Sequence, residues 1–369
     1  MKILITSVGS LVGQNILDVL ENPKFKGRDK IHVVGTNSIA GNPQNFRCDK
    51  VYLVSNTGTE AFYQEFQKIV EIESPDLVLS GRDEDTLRVT KIVRELGIKC
   101  KLPYGSIAAL EAALDKLKTY QFCKKYDLPF AETYVVGEHG DIDGLKAFAE
   151  KYDFPLIAKP IQGFASKGVF FVRSMAELEF AASLNGYMFQ EYIGNGDLLA
   201  QYFDSMKNLV PLFAHAPNIH HNSCHVIIHP DGSFKDIFIS RNEHDSGVTV
   251  GFKRIQNEEL YEITKRFAKA VYSEGGYGPL TVQFRQDRVG KWKAQEMNMR
   301  TNGNTYPRFL MGQDDIGEIL SYLYPNEGFD IVESDVDSSE VIIGKVLTSF
   351  LMNCDLIDSL HNNSKLEIK

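Results

Sequence analysis

The sequence predicts an α/β amino-terminal domain with a mostly parallel sheet, followed by an α+β region. Two observations support this fold class. Short β-rich runs alternate with amphipathic segments over about the first hundred residues, and this βαβ alternation is typical of a doubly wound sheet. From Asp115 onward strands follow one another with fewer intervening helices. A chain of 369 residues, 43% hydrophobic and 24% charged, is long enough for two or three domains.

The first domain is expected to contain four strands and three helices. The predicted strands are 3–6, 31–35, 51–54 and 77–79, and the predicted helices are 14–20, 60–72 and 84–96. Gly9 and Gly13 follow the first strand, but their spacing is not that of the dinucleotide fingerprint G-x-G-x-x-G, and Asn37 stands near the place of its acidic ribose ligand. An NAD-dependent oxidoreductase is therefore disfavoured. A turn at a helix amino terminus can still receive a carboxylate or phosphate of another ligand.

The second region begins with DKLKTYQFCKKYDLPF, which predicts a helix that ends before Pro129. The elements predicted after it are a buried strand over 154–159, the turn-rich loop IQGFASKGV, a strand over 169–172, a helix from near Ala176, a strand in YMFQEYIG and a long helix over 258–272. The last forty or so residues predict only an extension with a strand over 341–347 and a short helix.

The stretch KAQEMNMRTNGN combines oxygen-bearing side chains with a cation in strict alternation. In an extended strand Glu296, Asn298 and Arg300 share one face, while Met297 and Met299 share the other. Carboxylate and amide oxygens suit a hard metal ion such as Mg²⁺, and arginine suits phosphate. The alternative interpretation is a solvated strand face with its methionines packed inward.

Charge and cysteine content exclude several classes of protein. A formal net charge of −9 argues against general nucleic-acid binding, which needs a basic surface. The five cysteines are widely spaced and include no C-x-x-C pair, so a reducing cytoplasm is the expected compartment. No apolar run is long enough to span a membrane. The run HHNSCH, with His215 and His229 nearby, matches no closed zinc motif, so ordinary polar and edge-strand histidines are favoured.

A lysine and a glycine-bearing loop suit a polyphosphate ligand. Lys159 ends a predicted strand, and the loop over 162–168 offers glycines, backbone N–H groups and Ser166. Taken alone, these residues are better explained as a buried lysine before proline and an ordinary surface loop.

Taken in order, these segments resemble the ATP-grasp superfamily, specifically its carboxylate-amine ligases and the branch similar to carbamoyl-phosphate synthase. The resemblance covers roughly 106–324, and the region before it resembles the usual amino-terminal domain of that family. It implies an α/β parallel-sheet domain followed by a two-lobed α+β ATP-grasp fold. The implied divisions are 1–105 for the first domain, 106–194 for the small lobe, 195–330 for the large lobe and 331–369 for a carboxyl-terminal extension.

The resemblance also implies roles for particular residues in binding ATP. Lys116 of the Asp115-Lys116 pair and Lys159 would contact phosphate, and GFASKG would form the mobile phosphate loop. The implied nucleotide-binding residues are Lys116, Lys159, Ser166, Gly168, Gln190, Glu191, Ile193 and Asp197, where the segment over 190–193 receives adenine and Asp197 the ribose.

The match of TVQF and QEMNMR implies the metal site and the phosphate-facing arginine. The implied Mg²⁺ ligands are Gln283, Glu296 and Asn298, and the implied catalytic residues are Arg300 and, from ISRNEHDSGVTVGFKR, Arg241. An exposed strand-end arginine explains Arg241 equally well. Gly303 and Asn304 resemble the loop around the reacting carboxylate, and Asp83 with Asp85 resembles a D-x-E element near the substrate cleft. The sequence departs from the family pattern at Gln283, Met299 and Asp197, which replace an acid, a proline and a glutamate.

The resemblance implies an ATP-dependent ligase that forms an acylphosphate from a carboxylate and transfers the acyl group to an amine. Its expected ligands are ATP, Mg²⁺ and small-molecule carboxylate and amine substrates, with no nucleic-acid or membrane partner. The identity of the substrates, a homodimer and the number of Mg²⁺ ions are left open. The alternatives are activation of bicarbonate or carbamate and an ATP-binding regulatory protein without turnover.

Overall fold

A computed structural model describes residues 1–162, 168–207, 221–245, 248–333, 341–346 and 348–368. Ser166, His215 and His220 lie outside the described residues. Across the described residues, no helix is both long enough and apolar enough to cross a membrane.

The described elements alternate in the order expected for an α/β domain followed by two mixed lobes. The strands are β1 (Lys2–Thr6), β2 (His32–Asn37), β3 (Lys50–Leu53), β4 (Leu77–Ser80), β5 (Thr133–Tyr134), β6 (Leu156–Pro160), β7 (Phe170–Val172), β8 (Tyr187–Glu191), β9 (His221–Ile228), β10 (Phe238–Asp245), β11 (Val248–Arg254), β12 (Gly278–Gln286), β13 (Trp292–Asn298), β14 (Ile343–Gly344) and β15 (Lys365–Glu367). The helices are α1 (Leu11–Glu21), α2 (Glu60–Glu73), α3 (Asp83–Glu95), α4 (Ile107–Leu114), α5 (Lys116–Lys125), α6 (Ile142–Tyr152), α7 (Met175–Ala182), α8 (Gly196–Ser205), α9 (Glu258–Ser273), α10 (Thr305–Leu310), α11 (Asp315–Leu323) and α12 (Cys354–Asn363).

The first sheet has the order β15-β3-β2-β1-β4, and its first four strands along the chain pair in parallel. The carboxyl ends of β1 and β4 lie side by side, and Ser10 ties them to α1 because its hydroxyl donates to Gly81 O (2.8 Å) and accepts from Gly13 N (3.0 Å). The parallel sheet predicted for the first domain is therefore present. Its fifth strand, β15, comes from the end of the chain and pairs antiparallel with β3.

The small lobe is a four-stranded antiparallel sheet in the order β5-β8-β6-β7. Helices α6 and α7 cover it, with Leu145 and Leu178 fully buried between helices and strands. Lys159 lies near the end of β6 and Gln190 near the end of β8, so this sheet brings two predicted nucleotide-binding residues together.

The large lobe is a six-stranded antiparallel sheet in the order β13-β12-β9-β10-β11-β14. One face packs against α9 and contains Val226, Val282, Phe284 and Met297 in a single apolar core. The opposite face is polar over much of its area. The segment predicted as a strand over 341–347 contributes only the two residues of β14 to this sheet, and Leu347 lies outside the described residues. The range 331–369 is thus shared between two sheets.

Candidate functional site

The polar face of the large-lobe sheet is built by the period of two along antiparallel strands. Gln283 on β12 pairs with Glu296 on β13, and Thr281 pairs with Asn298, so these four side chains point to the same side. The intervening residues Val282, Met297 and Met299 are buried in the core on the other side. The two methionines thus lie opposite Glu296 and Asn298, as the alternation in the sequence predicts. The predicted metal ligands therefore share one face.

A β-bulge changes which residues accompany Glu296 on that face. The pairing shifts from Gln283–Glu296 to Phe284–Ala294, so Gln295 is an extra residue with no opposite partner. Because a bulge inserts one residue, the residues before it along the strand point to the opposite faces from those that a regular strand would give. Lys293, three residues before Glu296, therefore faces the same side, where its ammonium contacts Glu191 Oε1 at 2.6 Å.

Glu296 is exposed, and it makes no hydrogen bond or ion pair with any side chain that the structure describes. Its charge nevertheless acts on three cations from different parts of the chain: Lys116, Lys159 and Arg300. The site thus brings together residues that are far apart in the sequence, since Lys116 and Arg300 are 184 positions apart. Asp83 also acts on Lys116 and Arg300, and Asp115 acts on Lys116, so charges of both signs meet here. Lys159 is the cation with no carboxylate other than Glu296 acting on it, which suits a phosphate ligand.

Lys159 is the most deeply placed of these cations. Its side chain is buried, and its ammonium donates to Gln190 Oε1 at 2.8 Å. Gln190 is itself held by Thr133, since its Nε2 donates to Thr133 Oγ1 at 3.0 Å. Burial lowers the pKa of Lys159 to about 8, Lys116 acts in the same direction and Glu296 opposes it. The ammonium has no carboxylate bonded to it among the described residues, so an anionic ligand would restore its usual pKa.

Lys116 owes its position to the residue before it. Asp115 caps α5, because its Oδ1 accepts from Leu117 N and Lys118 N, each at 3.0 Å. Lys116 is consequently the first helical residue, at the amino terminus of α5. Burial lowers the pKa of Lys116, and the charge of Glu296 opposes the shift.

Gly168 is the last residue of the segment predicted as the phosphate loop and adopts a left-handed conformation with φ of +73°. A Cβ atom added there would lie 2.9 Å from Tyr187 Oη and 3.1 Å from Pro160 Cγ. Both the backbone angle and the close approach therefore require glycine at this position.

The segment predicted to receive adenine joins the two lobes. The Glu191 carboxylate accepts from Glu132 N at 2.7 Å as well as from Lys293, so it is used within the protein. Ile193 is buried, and Asp197 is exposed in the first turn of α8. The Glu191 carboxylate is therefore already bonded within the protein, and Glu191 N donates to Glu132 O at 3.0 Å.

Arg300, which follows β13, links this strand to the first domain. Its guanidinium forms an ion pair with Asp83 at the start of α3 and donates to Thr301 O at 3.0 Å. Burial lowers the pKa of Arg300, but Asp83 more than offsets this effect, and the pKa is raised. Asp85 is not part of this contact. It is fully buried and accepts from Thr6 Oγ1 at 2.8 Å and from the Thr57 hydroxyl at 2.5 Å.

The structure does not bring Arg241 to the polar face. Arg241 is exposed on β10, and it alternates with Ser240 and Asn242, whose side chains hydrogen bond to one another and to Ser223 on the polar side. Period-two alternation therefore points Arg241 to the opposite side of the sheet. The predicted catalytic residue Arg241 therefore does not share a face with the other predicted site residues of this sheet.

Solved structures share this arrangement of domains and sheets. The chain aligns with N5-carboxyaminoimidazole ribonucleotide synthetase from Thermotoga maritima at a TM-score of 0.60 and 16% identity, covering 87% of this chain and 75% of that one. It aligns with a biotin carboxylase–ATP complex from Campylobacter jejuni at a TM-score of 0.64 and 17% identity, covering 87% and 70%. The chain has the ATP-grasp fold. The fold predicted from the sequence is confirmed.

Curated proteins similar in sequence include ligases whose names agree with an ATP-grasp fold. D-alanine–D-alanine ligase from Acinetobacter baumannii is 24% identical over 260 residues, which cover 67% of this chain and 76% of that protein. D-aspartate ligase from Enterococcus faecium is 21% identical over 219 residues, covering 55% and 48%, and pyruvate carboxylase from Staphylococcus aureus is 28% identical over 174 residues, covering 44% and 15%. The chain thus spans about half of one of these relatives and a small part of another. No family model matches the chain.

Within the ATP-grasp fold, the donor atoms on the polar face fit Mg²⁺. Glu296 supplies carboxylate oxygens, and Asn298 and Gln283 supply amide oxygens, all on one side of two paired strands. Mg²⁺ is usually held by one or two carboxylates and keeps several water or phosphate ligands, so Glu296 would be the main protein ligand. The Gln283 Oε1 atom also accepts from Gln295 Nε2 at 3.3 Å. The described residues hold no group of three or more His, Cys, Asp or Glu side chains placed to bind a metal ion.

The described histidines near this face have protein partners. His221 is hydrogen bonded with Asn242 (3.2 Å), and burial lowers its pKa well below the usual value. His225 Nδ1 lies 2.8 Å from Thr281 Oγ1, and Asp315 Oδ1 lies 3.2 Å from its Nε2.

Sequence reasoning missed a contact between the carboxyl-terminal extension and the loop after β13. Lys345, next to β14, donates from its ammonium to Gly303 O and to Asn304 Oδ1 (2.7 Å). Asn302 in the same loop donates to Thr281 Oγ1 at 2.9 Å. No local pattern marks Lys345, because its partners lie about forty residues earlier in the chain.

Proposed function

We propose that the protein is an ATP-dependent ligase that joins a carboxylate to an amine. The observation that carries this proposal is the position of Glu296 on an oxygen-rich sheet face. Its charge acts on Lys116 at the start of α5, on Lys159 of the small lobe and on Arg300. This arrangement suits a metal-bound polyphosphate. The ligase names among the similar proteins support the same reaction class.

The proposed reaction has two steps. An oxygen of the substrate carboxylate attacks the γ-phosphorus of ATP, the bond to the bridging oxygen breaks, and ADP leaves with an acylphosphate in place. The amine nitrogen then attacks the acyl carbon, phosphate leaves, and the nitrogen loses a proton to form the amide. No protein nucleophile is required, because phosphoryl transfer depends on positioning and on neutralising charge.

The proposed roles of the residues follow from their charges. Lys116 and Lys159 neutralise phosphate oxygens, and Arg300, fixed by Asp83, faces the transferred group. Mg²⁺ held by the three predicted ligands Gln283, Glu296 and Asn298 would withdraw charge from the phosphates and orient them. The segment over 190–193 and Asp197 are proposed to contact the nucleoside, and Gly168 to permit the loop before it to approach the phosphates.

A second candidate is activation of bicarbonate in place of an organic carboxylate. The structural similarity to a biotin carboxylase favours it. The small-molecule carboxylate and amine partners remain proposals, as do the cytoplasm as compartment and a homodimer.

ADP release tests the proposed function and separates the two candidates. We expect purified protein with ATP and Mg²⁺ to release ADP over many turnovers only when a carboxylate and an amine are both added, in a screen of D- and L-amino acids, dipeptides, uronic acids and bicarbonate. Stimulation by bicarbonate alone would favour the second candidate. Thermal stabilisation by NAD and none by MgATP would overturn both, since a ligand of the folded state must raise the melting temperature.

A further inference from the structure

Arg285 continues the row of polar side chains on β12. It follows Thr281 and Gln283 at intervals of two residues, and it pairs with Lys293 across the strands. Phe284, between them, is fully buried in the core on the other side. The side chain of Arg285 therefore points to the same face as the proposed Mg²⁺ ligands, about two residue steps of roughly 3.4 Å from Gln283.

The neighbours of Arg285 place it at the hinge end of this face. Its cross-strand neighbour Lys293 bonds to Glu191 of the segment that joins the lobes. Its charge interacts with Tyr192 of the same segment and with His221 on β9. The opposite end of the face is closed by the ion pair between Arg300 and the first domain.

Arg285 differs from the other arginines of the site in having no partner. Among the residues that the structure describes, its guanidinium makes no hydrogen bond or ion pair, and its Nε is buried without an acceptor. Arg300 is paired with Asp83, and the buried Arg308 is paired with Asp315. Arg285 is half-buried, and a buried N–H without an acceptor is costly, so a bound ligand is the expected source of the missing contact.

A nucleotide bound as proposed brings its nucleoside to this position. Its phosphates face Lys116, Lys159 and Glu296, and the end of the face toward the first domain is closed. The nucleoside must then extend toward the hinge, where Arg285 lies on the floor of the cleft. A guanidinium is planar and carries five N–H donors, so it can stack on a base and donate to base or ribose acceptors.

We propose that Arg285 is a specificity-determining residue that contacts the nucleoside of ATP and not its phosphates. The inference rests on the proposed function, because it uses the position given there to the phosphates. The inference adds Arg285, which no sequence pattern marked, to the proposed nucleotide site. It also predicts that the site prefers nucleotides to simple polyphosphates.

Two ligands that share a triphosphate chain test this inference. Arg285→Met keeps the length of the side chain and removes the charge and donors. We expect it to weaken MgATP binding by about tenfold in isothermal titration, and to leave the affinity for magnesium tripolyphosphate unchanged. Arg266→Met on α9, behind the apolar face, is the matched control and should bind both ligands as the unaltered protein does.

Equal MgATP affinities of Arg285→Met and the unaltered protein would overturn the inference alone. A parallel loss of ATP and tripolyphosphate affinity would also overturn it, because the residue would then act on phosphate or on the fold. No MgATP binding by the unaltered protein would overturn the proposed function together with the inference. If Arg285→Met does not fold by circular dichroism, Arg285→Lys decides: selective loss for ATP supports the inference and no loss contradicts it.

Discussion

The two faces of the large-lobe sheet are made by the same strands and differ in nearly every property that bears on function. The core face buries Val282, Phe284 and Met297 against α9 and is complete within the chain. The opposite face presents Glu296 and Arg285, for which the described residues provide no bonded partner. Stability is therefore expected to depend on one face and ligand binding on the other, with neighbouring residues assigned to different tasks.

The largest expected effect comes from removing the carboxylate of the polar face. Glu296→Gln preserves the shape of the side chain and removes one charge from an exposed position. We expect ADP release to fall on the order of a thousandfold, because lost metal-assisted charge neutralisation costs several kcal/mol in the transition state. Steady-state ADP release at saturating MgATP measures this effect, and circular dichroism should show an unchanged fold.

Met297→Leu is the matched control, one residue away on the core face. Because it nearly conserves volume, it should cost less than about 1.5 kcal/mol of unfolding free energy and leave ADP release unchanged. Loss of activity in Met297→Leu with near-normal activity in Glu296→Gln would show that the alternation is only a packing pattern.

The next largest effect reverses the comparison by damaging the core face. Met297→Ala removes buried atoms from a fully packed position and should lower the free energy of unfolding by about 2–5 kcal/mol. Urea denaturation measures the loss. ADP release per folded molecule, measured well below the melting temperature, should stay within about twofold, since no group on the polar face changes. A large fall in activity of the folded variant would mean that the two faces are coupled.

Lys159 gives the polar face a pH dependence that the core face lacks. Its pKa of about 8 is below the usual value for lysine, so its charge is lost as pH rises through this range. Phosphate binding favours the charged form, so MgATP affinity should be constant below about pH 7.5 and then fall by up to about tenfold per pH unit. Titration calorimetry from pH 7 to 9.5 measures it.

Two variants assign that pH dependence to Lys159. Lys159→Arg keeps its charge throughout the range and should flatten the profile. Lys345→Met removes another lysine whose pKa burial lowers to about 8, and it should leave the profile unchanged. A flat profile in the unaltered protein would contradict phosphate binding by Lys159.

A smaller effect is expected from the loop that follows β13. Lys345→Met removes the donor to Gly303 O and Asn304 Oδ1 and frees the loop at one side. We expect kcat/KM for the carboxylate to fall about fivefold, in line with about 1 kcal/mol for a lost hydrogen bond, with MgATP affinity unchanged. Lys365→Met in β15, remote from this loop, is the control. Equal effects of both variants would indicate a general loss of stability.

The sequence was informative where a local period or an ordered set of motifs carried the signal. Alternation placed Glu296 and Met297 on opposite faces, and the ordered motifs led to the ATP-grasp fold. The bulge at Gln295 was not predictable, because one extra residue in a strand leaves no compositional mark, yet it turns Lys293 toward the hinge. Arg241 was assigned by motif position alone, without knowledge of which face its strand exposes. Arg285 and Lys345 depend on long-range pairings that no short pattern records.

The most direct test of the account is the dependence of ATP binding on Mg²⁺ in the unaltered protein and in Glu296→Gln. Calorimetry with and without Mg²⁺ gives the factor by which the metal ion strengthens binding. We predict a large factor for the unaltered protein and a factor near one for Glu296→Gln, whose affinity for ATP without metal should be equal or higher because a negative charge near the phosphates is gone. An unchanged Mg²⁺ factor in Glu296→Gln would contradict the assignment of the polar face as the metal–nucleotide site.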